Sequence, residues 1–161
     1  MDVGAPRRAR TDEDGYSMVE LMVVVMIIGV LVAIGLPTFL GAKTRAQDRQ
    51  TQASLRTAMV AGLTDWSGKD TFTGFDVACG VAPDSCVLAN TDEDSVTWVG
   101  PGDPGVLQVS IVVASGQDLL LVSRSPTGTY FCQGTSGGAA TLGTGASFPA
   151  LDTLPECTGG W

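Results

Sequence analysis

Apolar positions are distributed very unevenly along this chain. Residues 1–15 show no hydrophobic pattern and carry Arg7, Arg8 and Arg10 followed by Asp12, Glu13 and Asp14, which reads as a leader or tail outside any fold. From Tyr16 to Leu36 the sequence turns apolar on every side of a helix, with one charge, Glu20, in 21 residues. A helix of that kind needs lipid or a protein interior around it. At about 1.5 Å per residue it reaches roughly 32 Å, enough to cross a hydrocarbon core of about 30 Å. Its many β-branched residues, such as Val23, Val24, Val25, Ile27 and Ile28, would be poor in a solvated helix. In lipid the backbone must satisfy its own hydrogen bonds, and helix prevails. Gly29, Gly35 and Pro37 are the weak points. Pro37 has no N–H to donate and crowds the preceding turn, so a kink or local unwinding is expected between Gly29 and Pro37.

After Pro37 the pattern becomes amphipathic. Leu55, Met59, Leu63 and Trp66 recur at helical spacing as one apolar stripe, and Lys43, Arg45, Gln47, Asp48, Arg49, Gln50 and Gln52 fill the polar positions. Good helix formers continue without a breaker until Gly62, and Ser67-Gly68 is a plausible stop, so one helix is predicted over about 16–66. Residues 67–95 read as loop. Four β-type runs come next: a short one at 95–99, then 106–115, 119–123 and 129–132. The last three are separated by tight turns at Gly116-Gln117-Asp118 and Ser125-Pro126-Thr127-Gly128, which predicts an antiparallel meander. A meander needs a cover on one face, and the stripe from Leu55 to Trp66 is the available partner. Residues 133–161, rich in Gly, Thr and Ser with little pattern, read as a surface loop. The expected fold class is therefore α+β.

Cysteine usage and charge sharpen this picture. Cys79, Cys86, Cys132 and Cys157 all lie after the apolar run. If that run carries the C-terminal part across a membrane, they meet an oxidising compartment and pair. Three connectivities are possible, and the two local loops, Cys79–Cys86 and Cys132–Cys157, are favoured. The longer loop would contribute about 3 kcal/mol on the loop-entropy account. Three arginines before the run suit a cytoplasmic start, while Lys43, Arg45, Arg49 and Arg56 after it blur that count, so the cysteines decide for an exported C-terminal part. Net charge is −8, against non-specific nucleic-acid binding by the whole chain. There is no His, which removes the commonest general base and zinc ligand, and no cysteine pair has C-x2-C spacing. Asp92-Glu93-Asp94 lacks the alternating oxygen spacing of a calcium loop. No phosphate loop or dinucleotide glycine pattern is present. These observations point to a structural protein, not an enzyme, with no cofactor and no metal.

Together these features resemble the type IV pilins. Gly15 stands at the cleavage position of the prepilin signature, Tyr16 at the residue that becomes N-methylated, and Glu20 at the fifth mature position before the apolar run. Pro37 and Gly29 sit where many pilins carry a proline and a glycine, and residues 40–49 resemble the helix continuation of a bacterial subgroup. The sequence departs from the pattern at Tyr16, where Phe is usual, and at Asp12-Glu13-Asp14, where many leaders are basic. The motif covers residues 15–49; beyond it the likeness is one of architecture.

The resemblance implies a pilin-like fold with a leader at 1–15, a membrane or filament-core helix at 16–37, an amphipathic half at 38–66 and a globular head at 67–161 with a C-terminal disulfide loop. It implies cleavage after Gly15 by a prepilin peptidase that also methylates Tyr16, and assembly into a helical homo-oligomer by the pilus machinery, with minor pilins as further partners. The chain would sit in the inner membrane first and at the cell surface afterwards. The Tyr16 amine of one subunit and the Glu20 carboxylate of a neighbour would neutralise each other in a low-dielectric core. Gly29, Gly35 and Pro37 would let the helix yield. Alternatives are a pseudopilin of a type II secretion system, a single-pass anchored binding domain, and a secretory signal cut near Ala33-Ile34-Gly35. The basic group Lys43, Arg45, Arg49 and Arg56 is a solvated face, or meets lipid, acidic neighbours or DNA.

Overall fold

The computed structural model of the chain describes residues 15–76 and 93–161. Cys79, Cys86 and Asp92 lie outside them. One helix, α1 (Met18–Lys69), precedes five strands: β1 (Thr97–Val99), β2 (Gln108–Ser115), β3 (Asp118–Arg124), β4 (Tyr130–Ser136) and β5 (Ala139–Gly145). Two single 3-10 turns complete the chain, at Phe148–Ala150 and Leu154–Glu156. The chain divides into two compact units at Gly41/Ala42, within α1.

In the unit that begins at Ala42, α1 buries Thr51, Leu55, Ala58, Met59, Ala61 and Gly62. The spacing of three and four places them on one face. That face is turned toward small residues relative to the predicted stripe: Leu55 and Met59 are core, but Leu63 is 45% exposed and Trp66 only half-buried. The cause is close approach. A Cβ on Gly62 would lie 2.5 Å from Leu119 Cδ2, so a helix with a side chain there would stand further off the sheet. Near the start of this unit, Asp48 Oδ1 accepts hydrogen bonds from Ser125 Oγ and Thr127 Oγ1, each at 2.6 Å, and so fastens the β3–β4 turn to α1.

The sheet runs β1-β2-β3-β4-β5. β1 pairs with β2 in parallel; the other neighbours are antiparallel. β3 is its centre and is buried on both faces, as its unbroken run Leu119-Leu120-Leu121-Val122 requires. Leu119 and Leu121 point to the α1 side, where they join Leu55, Met59, Phe75, Trp98, Ile111 and Phe131. Leu120 and Val122 point to the opposite side and meet Tyr130, Cys132, Leu151 and Cys157.

Residues 133–161 are not the surface loop that their composition predicts. The first part completes β4 and forms β5, joined by Gly137-Gly138 with both φ positive, 55° and 86°, as a two-residue turn between right-twisted strands needs. The rest is the cover of the second sheet face, pinned by the Cys132–Cys157 disulfide as expected. Leu151 is buried there, and Phe148 and Leu154 pack beside it. The glycines of β4 and β5 let this cover come close. A Cβ on Gly134 would meet Leu154 Cδ2 at 2.6 Å, and one on Gly143 would meet the Thr158 carbonyl oxygen at 2.6 Å. The chain then turns around β5: Gly159 bridges Gly143, and Gly160 N donates to Leu142 O at 3.0 Å. Trp161 ends up on the α1 side. Its Nε1 donates to Cys132 O at 3.0 Å, its ring meets Phe131 edge-on, and the Arg56 guanidinium lies 4.8 Å above it.

This packing is testable at two positions. Gly143→Ala forces a methyl against backbone that cannot swing away, so it should lower stability by about 1–3 kcal/mol. Gly68→Ala, on open helix surface, should leave stability unchanged or slightly raised; thermal unfolding of the full chain in detergent compares them. The second position is Tyr130, whose hydroxyl donates to Asp103 Oδ1 at 2.8 Å. Burial, then the bond to Asp103 and its negative charge, raise the phenol above its ordinary value, with Arg124 opposing. The folded state thus favours the proton more than the unfolded state does. This stabilisation is complete below about pH 10 and is lost as pH rises through the folded-state value. Tyr130→Phe should flatten the alkaline fall in melting temperature; an unchanged fall would refute the assignment.

Candidate functional site

The residues singled out in the sequence gather at the start of α1. Gly15, Tyr16 and Ser17 are exposed and non-helical. Nothing lies within 4 Å of a Cβ placed on Gly15, and Tyr16 is 84% exposed. The helix begins at Met18, with Leu21 N donating to Ser17 O at 3.1 Å. Glu20 occupies the first turn, where the unpaired N–H groups of a helix favour a carboxylate. Gly15, Tyr16 and Glu20 therefore lie within the first helix turn and a short non-helical lead.

From Met18 onward the helix presents apolar side chains to its surroundings on every side. Its most apolar 18-residue window has a mean hydropathy of 2.9 and none of it is buried. Val24, Ile28, Leu31 and Ile34 are each about half exposed or more. α1 continues through Gly29, Gly35 and Pro37 as unbroken helix, so no local unwinding interrupts it between Gly29 and Pro37. Pro37 leaves the Ala33 carbonyl without its usual helical donor. One turn is braced locally, where Thr38 Oγ1 donates to Gly35 O at 2.8 Å. Gly29 and Gly35 have open space around them.

The other residues of interest belong to the second unit. Cys132 and Cys157 are bonded to each other, whereas Cys79 and Cys86 lie outside the described residues. Sequence reasoning did not single out Asp48 as the anchor of the β3–β4 turn, nor Trp161 as the partner of Arg56. Neither stands in a periodic pattern, and their partners lie far away along the chain. Among the described residues no group of three or more His, Cys, Asp or Glu side chains is placed to hold a metal ion. A cavity of about 230 Å³ between Leu63, Trp66, Phe72, Gln117, Thr135 and the Gly137-Gly138 turn holds no titratable side chain. What this arrangement offers is an exposed lead before an apolar helix whose surface is free to be buried against other apolar surfaces.

A sequence profile described as the prokaryotic N-terminal methylation motif matches residues 10–36. The chain is 34% identical over 70 residues to the type IV major pilin protein PilA of Myxococcus xanthus, covering 44% of this chain and 32% of that protein. The chain thus matches about a third of that relative's length. It is 31% identical over 141 residues to the type IV major fimbrial protein FimA of Dichelobacter nodosus, covering 74% of this chain and 88% of that protein. It is 26% identical over 121 residues to the type IV wide pilus major component PilA4 of Thermus thermophilus, covering 64% and 92%. No solved structure matches it. The methylation motif at the exposed start of α1, and an identity to the fimbrial relative that runs through the head as well, place this chain in the type IV pilin family.

Proposed function

We propose that this chain is a structural subunit of a type IV pilus, made as a membrane-inserted precursor, cut after Gly15, N-methylated on Tyr16 and polymerised through α1. The observation that carries this is the exposed apolar helix that starts two residues after an unhindered Gly15–Tyr16 peptide bond and bears one carboxylate, Glu20, in its first turn. The relatives from Myxococcus, Dichelobacter and Thermus are all pilus or fimbrial components, which favours this reading over a pseudopilin or a monomeric anchored domain.

Each step has a physical basis. A peptidase active site accepts extended backbone, and Gly15 offers no side chain to obstruct it. Hydrolysis leaves a carboxylate on Gly15 and a new amine on Tyr16. In lipid, an acidic residue at mid-depth costs about 2.5–3.5 kcal/mol on insertion scales, and less near the edge, where Glu20 stands. Pairing of Glu20 with the Tyr16 amine of a neighbour removes both isolated charges and fixes the register between helices. The organisation is then a leader at 1–15, a membrane helix at 16–37 that becomes filament core, an amphipathic half at 38–66 and a head at 67–161. Gly29, Gly35 and Pro37 give the helix a place to bend on leaving the membrane. The partners are further copies of this chain, the peptidase and methyltransferase, the assembly machinery and minor pilins. The precursor resides in the cytoplasmic membrane and the assembled form at the cell surface.

Intact-mass and N-terminal analysis of the native protein should give a mature chain that starts at N-methyl-Tyr16. A start at Leu36, or a chain that retains Met1, would overturn the reading. Glu20→Ala should leave the protein in the membrane while reducing filaments at least about ten-fold, the equivalent of about 1.4 kcal/mol per assembly step. Wild-type filament yield from that variant as the only copy would contradict the pairing.

A further inference from the structure

Charge is segregated in this chain in a way that neither the fold nor the membrane helix uses. Residues 70–161 hold ten acidic residues and one basic residue, Arg124. The remaining basic residues past the apolar run, Lys43, Arg45, Arg49, Arg56 and Lys69, all lie on α1. Lys69 is paired with Asp65 at 2.6 Å, the one ion pair among the described residues. Arg56 is stacked over Trp161. Arg45 and Arg49 are exposed, and with Arg56 they recur at spacings of four and seven, which sets them on one stripe of the helix. The buried face of α1 lies elsewhere, through Thr51, Leu55, Ala58 and Gly62. Arg45 and Arg49 are thus left outside the contact between α1 and its own sheet, and Arg56 touches that sheet only through Trp161.

We infer that the Arg45–Arg49–Arg56 stripe is an interface that docks the acidic head of a second copy of this chain. The inference rests on the filament reading and specifies which surfaces meet beyond the apolar core. The complementarity is between two different surfaces of the same chain, so the contact is heterologous, the class of contact from which an open helical filament can be built. A lipid surface fits less well. Arg45 and Arg49 belong to the unit that begins at Ala42 and carries the sheet, not to the apolar unit that a bilayer would hold. Nucleic acid fits less well again, because phosphates approaching the stripe would meet a chain of net charge −8. Arginine suits the role, since its planar guanidinium binds carboxylates in a bidentate geometry and loses little order in doing so.

The test uses filaments sheared from cells that carry the full chain as the only copy, with polymerised protein measured by sedimentation between about 0.05 and 0.5 M NaCl, a range over which surface charge pairs become screened. Wild-type filaments should lose polymer as salt rises. Arg45→Glu/Arg49→Glu should give at least about ten-fold less polymer at low salt and recover as salt rises, the opposite slope. Arg45→Lys/Arg49→Lys, which keeps the sign of charge, should stay within about three-fold of wild type at low salt. Unchanged melting temperatures will show that the exposed substitutions leave the fold intact. Wild-type filament yield from the charge-reversed variant would overturn this interface alone. A loss seen only as weaker retention of the monomer on vesicles of anionic lipid would also overturn it, assigning the stripe to the membrane. Correctly processed wild-type chain that makes no filament would overturn the filament reading and the interface with it.

Discussion

The constraint on which the rest of the head depends is the double burial of β3. Four consecutive apolar residues, Leu119 to Val122, send side chains to both faces of the sheet and leave no face for water. A single helix covers only one side. The other must be closed by whatever chain remains, and 146–157 does so with Leu151, Phe148 and Leu154. That segment brings three large apolar side chains and no regular structure beyond single turns, so on its own it would not stay in place. The Cys132–Cys157 bond, between β4 and the end of the cover, supplies what its composition lacks. The glycines of β4 and β5 answer the same demand, since a thin cover comes closest to the sheet where the strands carry no side chain.

α1 meets two unlike requirements in one continuous element. Past Ala42 it is an ordinary packing helix whose small residues set its distance from the sheet. Before that point its apolar side chains lie exposed on every side. Neither part could serve for the other. A helix apolar all round would leave the sheet's cover without a polar outer face, and a half-polar one would break the all-apolar surface of the first unit. Polar residues become frequent from Lys43, beside the division between the two units.

Much of this was legible from residue pattern. The long helix, the meander of β2, β3 and β4, the helix-on-sheet core and the Cys132–Cys157 pairing reflect periodicity, turn chemistry and the parity of the cysteines. The start of α1 was legible because Gly15, Tyr16 and Glu20 are close together and border an otherwise charge-free run. β5 was not, because its residues Ala139 to Gly145 carry no apolar alternation; they face a cover that requires glycine at alternate positions. The signal that was present is Gly137-Gly138, a two-residue hairpin turn. The shift of the buried helix face from Leu63 toward Gly62 was hidden for a related reason. Hydrophobic periodicity identifies large residues, whereas the closest approach of two elements occurs where residues are small.

The pairing of Gly159 and Gly160 with β5 has a consequence for how the sheet can meet another molecule. An open strand edge in a crowded array is a template on which neighbouring sheets can grow without limit. Here the chain occupies part of that edge, at Leu142 and Gly143, with its own backbone, using glycines whose φ values of 94° and 72° allow so tight a return. At that stretch of β5, contact with another molecule falls to side chains, which can be selective, instead of to a backbone ladder, which cannot.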